Sequence, residues 1–335
     1  MTTSATVRVA GPYFEELERG QVERGAPALT LTDGHAAVHQ AILGGRLRLA
    51  LDVPLARRVC GGERPLAHPA LVCDVAIGQS TLLTQRVIAN LFYRGLVLRR
   101  LPRIGDTLRT TTEVVALKQN RARPDRAATG LAVLRIVTAD QDERPVLDFT
   151  RCAMLPLRDA AGATGHADAI EGEPVSFDPG ALAAPVAGWD LAAMRPATGF
   201  DALAEGTRFA VEGGDVVSAA PELARLSLNV AMAHHDRRTG QGGRRLVYGG
   251  HTIGLAAAQL TRALPDLAAI VAWHGCDHLA PVFEGDTLSS VVDVERKEPL
   301  PDGGGLLHLR SQVRAEREGG EAADVLDWRL IAVQP

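Results

Sequence analysis

From His251 to Leu264 the chain reads HTIGLAAAQLTRAL, with Ile253, Ala256, Ala257, Leu260 and Leu264 recurring at three- and four-residue steps. That spacing gathers the apolar side chains on one face of a helix. Downstream the rhythm changes. Four runs follow: IVAWHGCDHL from Ile270, TLSSVVDVERK from Thr287, LLHLRSQVRAE from Leu306 and VLDWRLIAV from Val325. Two of them alternate apolar and polar residues, and Pro/Gly turns separate them, so they are expected to be antiparallel strands. The first half has the same order, with the apolar segment ALVCDVAIGQSTLLTQRVI (70–88) before its own strand-like runs. A long apolar helix followed by a meander of strands, twice over, predicts an α+β architecture in which a curved sheet wraps each helix.

The two halves also match residue by residue. GDTL at Gly105–Leu108 recurs at Gly285–Leu288, VLDF at Val146 matches VLDW at Val325, and FEELERGQ at Phe14 matches FDALAEGT at Phe200. At the GDTL offset, Tyr93-Arg94-Gly95 falls on Trp273-His274-Gly275, and His68-Pro69 on Tyr248-Gly249. Matches in one order along the chain indicate two divergent copies of a single module. The expected boundaries are 1–158 for the first module and 197–335 for the second. Residues 159–196, rich in Ala, Gly and Pro, are read as a linker lying across the surface.

Composition narrows the function. At 335 residues and 46% hydrophobic, the chain can bury sizeable cores, and a net charge of −4 gives no drive towards nucleic acid or anionic membrane. No apolar run is long enough to span a bilayer, and the first residues lack a secretory signal pattern, so a cytoplasmic protein is expected. The four cysteines have no paired spacing and read as reduced, partly buried thiols.

Candidate chemistry concentrates in NVAMAHHDRRTGQGGRRLVYGGH, residues 229–251. YGGH opens the apolar helix, and glycines at a helix start expose backbone N–H groups with no Cβ in the way. Gly249 and Gly250 are therefore candidates to polarise a carbonyl, aided by the helix dipole; a turn glycine needed only for chain reversal is the plainer alternative. The first copy has Pro69 in place of a glycine, which removes an N–H, so the copies diverge at this point. His234 is suited to proton transfer near neutrality. GQGG lacks the Lys-Ser/Thr of a phosphate-binding loop. In HGCDH, His274, Cys276 and His278 alternate along a strand and are expected to share one face, although a metal site is the less favoured reading.

The motifs FEELERGQ, IANLFYRG, GDTLRTTTEVVALKQN, RRLVYGGH, DHLAP before FEGDTL, and the late VLD occur in this order. Together they resemble the MaoC-like dehydratase/hydratase family, in particular its mesaconyl-CoA hydratase branch. The resemblance implies a double hot-dog fold: two antiparallel sheets, each wrapping a central helix, repeated in tandem. It implies reversible hydration of a short branched enoyl-CoA, foremost mesaconyl-CoA to β-methylmalyl-CoA. Coenzyme A would then be part of the substrate, with no separate cofactor or metal and no nucleic-acid or membrane partner, and the chain is expected to form a homodimer. Related (R)-specific hydratases carry D-x-N-P-I-H. Asn229 stands where that aspartate would be, His234 where the histidine would be, and Asp236 is the next carboxylate available to assist.

The same resemblance assigns substrate binding to Tyr248, Gly249, Gly250, His251 and His278. Arg244 and Arg245 are candidates for CoA phosphates or a free substrate carboxylate, since planar arginine pairs with either. The first module has Gly45 and Ala50 at the places of Asn229 and His234 and is expected to be non-catalytic. An acyl-CoA thioesterase and a non-catalytic CoA-ester-binding subunit remain open alternatives, because one scaffold hosts many chemistries.

Overall fold

Four helices position the site: α1 (Asp33–Leu43), α2 (Pro69–Gln79), α3 (Ala220–Leu226) and α4 (Gly249–Ala263). The computed structural model describes every residue except 1–5, 8, 122, 124–126, 160, 171 and 318. All of α2 is buried, and α4 is buried from Gly250 to Thr261. A helix hidden on every face needs cover all round, and eight long strands provide it. They are β1 (Ala89–Leu98), β2 (Thr107–Gln119), β3 (Thr129–Ala139), β4 (Pro145–Pro156), β5 (Ala269–His278), β6 (Thr287–Pro299), β7 (Gly305–Glu316) and β8 (Ala323–Gln334).

The long strands lie in the order β2-β3-β4-β1-β5-β8-β7-β6, which is one four-strand pattern followed by its mirror. The pairings are antiparallel throughout. This is the double hot-dog fold. The two expected sheets meet edge to edge, because β1 pairs with β5 with Tyr93 opposite Cys276 and Arg94 opposite Gly275, giving one continuous sheet of 12 strands. An Arg94–Asp277 ion pair at 2.5 Å clamps the seam.

The repeat is visible in individual hydrogen bonds. Gln79 at the end of α2 donates to the Leu108 carbonyl at 3.0 Å, and Gln259 on α4 donates to the Leu288 carbonyl at 2.8 Å. GDTL proves to be a turn device. Gly105 and Gly285 hold φ of 98° and 90°, where a side chain is strained. The following Asp106 and Asp286 each accept a backbone N–H three residues back, from Arg103 at 2.8 Å and Phe283 at 3.0 Å.

The apolar segment 70–88 is helical only to Gln79 and tightens into a 3-10 turn at Ser80–Thr84. The Ser80 and Thr81 hydroxyls donate to the Ile77 and Gly78 carbonyls, both at 2.6 Å, and so compete with the helical ladder. Within 159–196 the chain is packed down. Leu182, Val186, Leu191 and Met194 are buried in a cluster with Val97, Ala269, Val271, Ile331 and Val333. No helix of the described residues is long and apolar enough to cross a membrane.

Candidate active site

Between the modules lies a cavity of about 230 Å³, and both modules line it. The second contributes Asn229, Ala231, His234, Gln241, Leu246 to Gly249, Thr252 and His278 to Val282. The first, expected to be non-catalytic, contributes Ile77, Thr81, Thr84, Val87 to Leu91, Tyr93, Arg151 and Met154. A largely apolar wall with a few convergent polar groups is the usual form of a small-molecule site.

The first module also holds the loop that carries the proton-transfer candidates. α3 ends at Ser227, and Leu228 then adopts φ +60°, an uncommon conformation for a bulky residue. That turn brings Asn229 into the cavity wall, and its Oδ1 accepts the Ala231 N–H at 2.9 Å, leaving the amide Nδ2 as a donor. Thr81 accepts the Val230 N–H at 3.0 Å, and the Gln85 carbonyl accepts the Met232 N–H at 2.8 Å. Gly78 of α2 faces the Ser227 carbonyl so closely that a Cβ there would lie 1.7 Å from the oxygen. Only glycine permits this approach.

His234 closes a short 3-10 turn (Met232–His234). Its Nδ1 lies 2.8 Å from the Leu246 carbonyl, which can only accept, so Nδ1 carries the proton and Nε2 keeps its lone pair. Burial pushes the imidazole down to about 4 despite the opposing Leu246 hydrogen bond; the neighbouring His235 and Arg151 add to the lowering. A neutral, oriented imidazole in the cavity wall has a free Nε2 lone pair with which to take a proton. Tyr248 packs against it with ring centroids 5.7 Å apart.

Tyr248 is the N-cap of α4 and makes no side-chain cap, so no side chain of the cap occupies the first-turn amides. Gly249 lines the cavity and lies against His278: a Cβ on it would meet the ring Nε2 at 2.7 Å. His278 Nε2 is buried without a partner among the described residues, and burial lowers that imidazole to about 4. Tyr93 of the first module packs edge-on to it, 5.7 Å between centroids.

Asn229, His234, Tyr248, Gly249 and His278 thus converge, and the other candidates do not. Asp236 points away from the cavity and is paired with Arg238 at 2.6 Å, because the turn after His235 carries it to the surface. Arg245 is bonded to Glu284, and Arg244 stacks over Phe283 at 4.1 Å with Asp286 at 4.0 Å. Neither arginine lines the cavity, since acidic and aromatic residues of the GDTL turn hold both outside it.

Gly250 faces the first module instead, where a Cβ would lie 2.0 Å from Asp74 Oδ1. His251 is buried one step further round α4, with both ring nitrogens unpartnered among the described residues, and it does not line the cavity. His274, Cys276 and His278 do not share a face. A bulge between Trp273 and Gly275 turns His274 outwards to Val175 and His308, while Cys276 is buried and His278 reaches the cavity.

Sequence reasoning missed Arg151, Asn90 and Tyr93. The signal was present in β4, where Leu147, Phe149, Arg151, Ala153 and Leu155 form one buried alternating set with a single charge in it.

No family model matches the chain. It is 29% identical to β-methylmalyl-CoA dehydratase of Chloroflexus aurantiacus, over 97% of each chain. It is likewise 29% identical to mesaconyl-CoA hydratase of Cereibacter sphaeroides, over 90% of this chain and 88% of that one. A conserved double hot-dog protein of Mycobacterium tuberculosis, of solved structure, is 52% identical over 98% of this chain and 100% of its own, with a TM-score of 0.86. A MaoC domain protein of Chloroflexus aurantiacus superposes with the same TM-score of 0.86 at 27% identity, over 98% of this chain and 99% of that one. The cavity, the mirrored strand order and these matches agree: the chain has the double hot-dog fold and is similar from end to end to MaoC-like dehydratases and hydratases.

Proposed function

We infer that this protein is an enoyl-CoA hydratase/dehydratase acting at the inter-module cavity, with mesaconyl-CoA and β-methylmalyl-CoA as its substrate pair. The observation that carries the reading is the joint placement of a neutral His234 and the Gly249 helix start on one apolar cavity. The matched dehydratase and hydratase support the substrate.

In the hydration direction the thioester oxygen accepts from the Gly249 amide, where the α4 dipole favours the charge that develops. Asn229 Nδ2 orients a water against His234 Nε2. The imidazole takes one proton from that water while the oxygen bonds to Cβ of the enoyl group. The electron pair of the C=C bond moves through Cα towards the carbonyl, and the resulting enolate takes the proton back at Cα. Water is thereby added as OH at Cβ and H at Cα, and the enzyme is unchanged. The imidazolium formed from a histidine of low proton affinity is a comparatively strong acid, which suits the return step. Dehydration reverses the same path. Coenzyme A enters as part of the substrate, and no step calls on a separate cofactor.

The test is a screen of mesaconyl-CoA, crotonyl-CoA and itaconyl-CoA with the purified protein. Loss of the enoyl-thioester absorbance without thiol release supports hydration. Thiol release indicates a thioesterase instead. Binding with neither change indicates a CoA-ester-binding subunit.

A further inference from the structure

Among the described residues Arg151 is the one arginine in the cavity wall, and it is 3% exposed. A buried guanidinium is costly unless an anion accompanies it. Among the described residues its hydrogen-bond partners are all neutral: Thr84 Oγ1 at 2.8 Å, the Ser80 carbonyl at 3.2 Å and Asn90 Oδ1 at 3.5 Å. The last is at the limit of a hydrogen bond. Nε has no partner, nor does Nδ2 of Asn90, which also lines the cavity. Two sets of donors in one cavity therefore lack acceptors. The fold itself does not need the charge. Where VLDF and VLDW align, the second module has Leu330 in place of Arg151, fully buried in an apolar core.

We propose that Arg151, with Asn90 beside it, receives a carboxylate carried on the acyl group, so that the site selects an enoyl thioester bearing a free carboxylate over its uncharged counterpart. This rests on the hydratase reading for the identity of the thioester. A cavity of about 230 Å³ is small for a nucleotide, and pockets for drug-sized ligands start at roughly 300 Å³. The anion that reaches Arg151 is thus the acyl group's own, and the CoA phosphates stay outside. Thr84 and Ser80 fix the guanidinium through Nη2, which leaves the Nε N–H and Nη1 as charged donors for an incoming anion.

The test compares mesaconyl-CoA with crotonyl-CoA on wild type, Arg151→Met and Arg151→Lys. Two readouts are taken: kcat/KM for hydration, and the rise in Tm that each CoA ester produces. Arg151→Met is expected to lose about 100-fold or more in kcat/KM for mesaconyl-CoA and its Tm rise, while crotonyl-CoA loses far less, so that the preference between the two esters collapses. Lysine, a point charge without the rigid set of guanidinium donors, is expected to recover only part of that loss; it also decides the matter should the methionine variant fail to fold. Parallel loss on both esters, or none on mesaconyl-CoA, overturns the assignment and leaves the hydratase reading standing. If wild type hydrates neither ester but mesaconyl-CoA still raises Tm in an Arg151-dependent way, the hydratase reading falls and the carboxylate site stands.

Discussion

Gly78 of the first module's central helix abuts the Ser227 carbonyl of the second, with no room for even a methyl group between them. Through this contact a helix from one copy sets the position of the loop that carries Asn229 and His234 in the other. Gly78→Ala must push the 227–229 backbone outward, at a cost of about 1–3 kcal/mol in stability, as overpacking typically gives. Displacing catalytic groups by an ångström also costs rate, of the order of 100-fold. Thermal unfolding and hydration kinetics on this variant are expected to show both effects. Full activity would mean that the modules are not coupled there.

Gly249→Ala places a methyl group against the His278 ring, where 2.7 Å is available. On the proposed mechanism this disturbs the Gly249 amide where it meets the thioester oxygen. Loss of one such donor costs about 100- to 1000-fold in kcat, and that fall is expected here with little change in Tm.

The buried histidines set the pH response. His234, His251 and His278 are lowered to about 4 and His68 to about 3, each chiefly by burial. In the unfolded chain they titrate near 6.5. Between those values the unfolded state binds more protons, so stability is fully present above about 6.5 and is lost as pH falls towards 4. Tm measured across that window is expected to drop. The hydration rate is expected to stay level through pH 6.5 and to show its acid limb near 4, since His234 must be unprotonated to accept a proton.

Asp236 separates two proton-transfer schemes. It is paired with Arg238 outside the cavity, so Asp236→Ala should retain hydration within about twofold, as surface changes usually do. A large loss in kcat would instead place this carboxylate in the proton path.

The repeat, the helix-then-strands order of each half and the YGGH helix were legible because each rests on local pattern: periodicity, matched tetrapeptides and glycines at a helix start. Asn229 and His234 were singled out through the D-x-N-P-I-H pattern that the family resemblance supplied. What escaped the sequence was long-range. Nothing near Arg151 says that its neighbours will be Thr84 and Tyr93, and nothing near Gly78 says that Ser227 will lie on it. The arginines beside the histidine looked like substrate ligands because their carboxylate partners, Glu284 for Arg245 and Asp286 for Arg244, lie far along the chain. His274 was misplaced by a bulge, which reverses the alternation that a strand otherwise guarantees.

The central claim is that His234 moves the proton in water addition to an enoyl thioester. The most direct measurement follows enoyl-thioester absorbance with wild type and His234→Ala under saturating mesaconyl-CoA, with binding checked by the ligand-induced rise in Tm. The account predicts turnover by wild type without thiol release, and a fall of about 100- to 10,000-fold in the variant, the range for a lost acid–base group, with binding retained. Equal rates in the two proteins would contradict it.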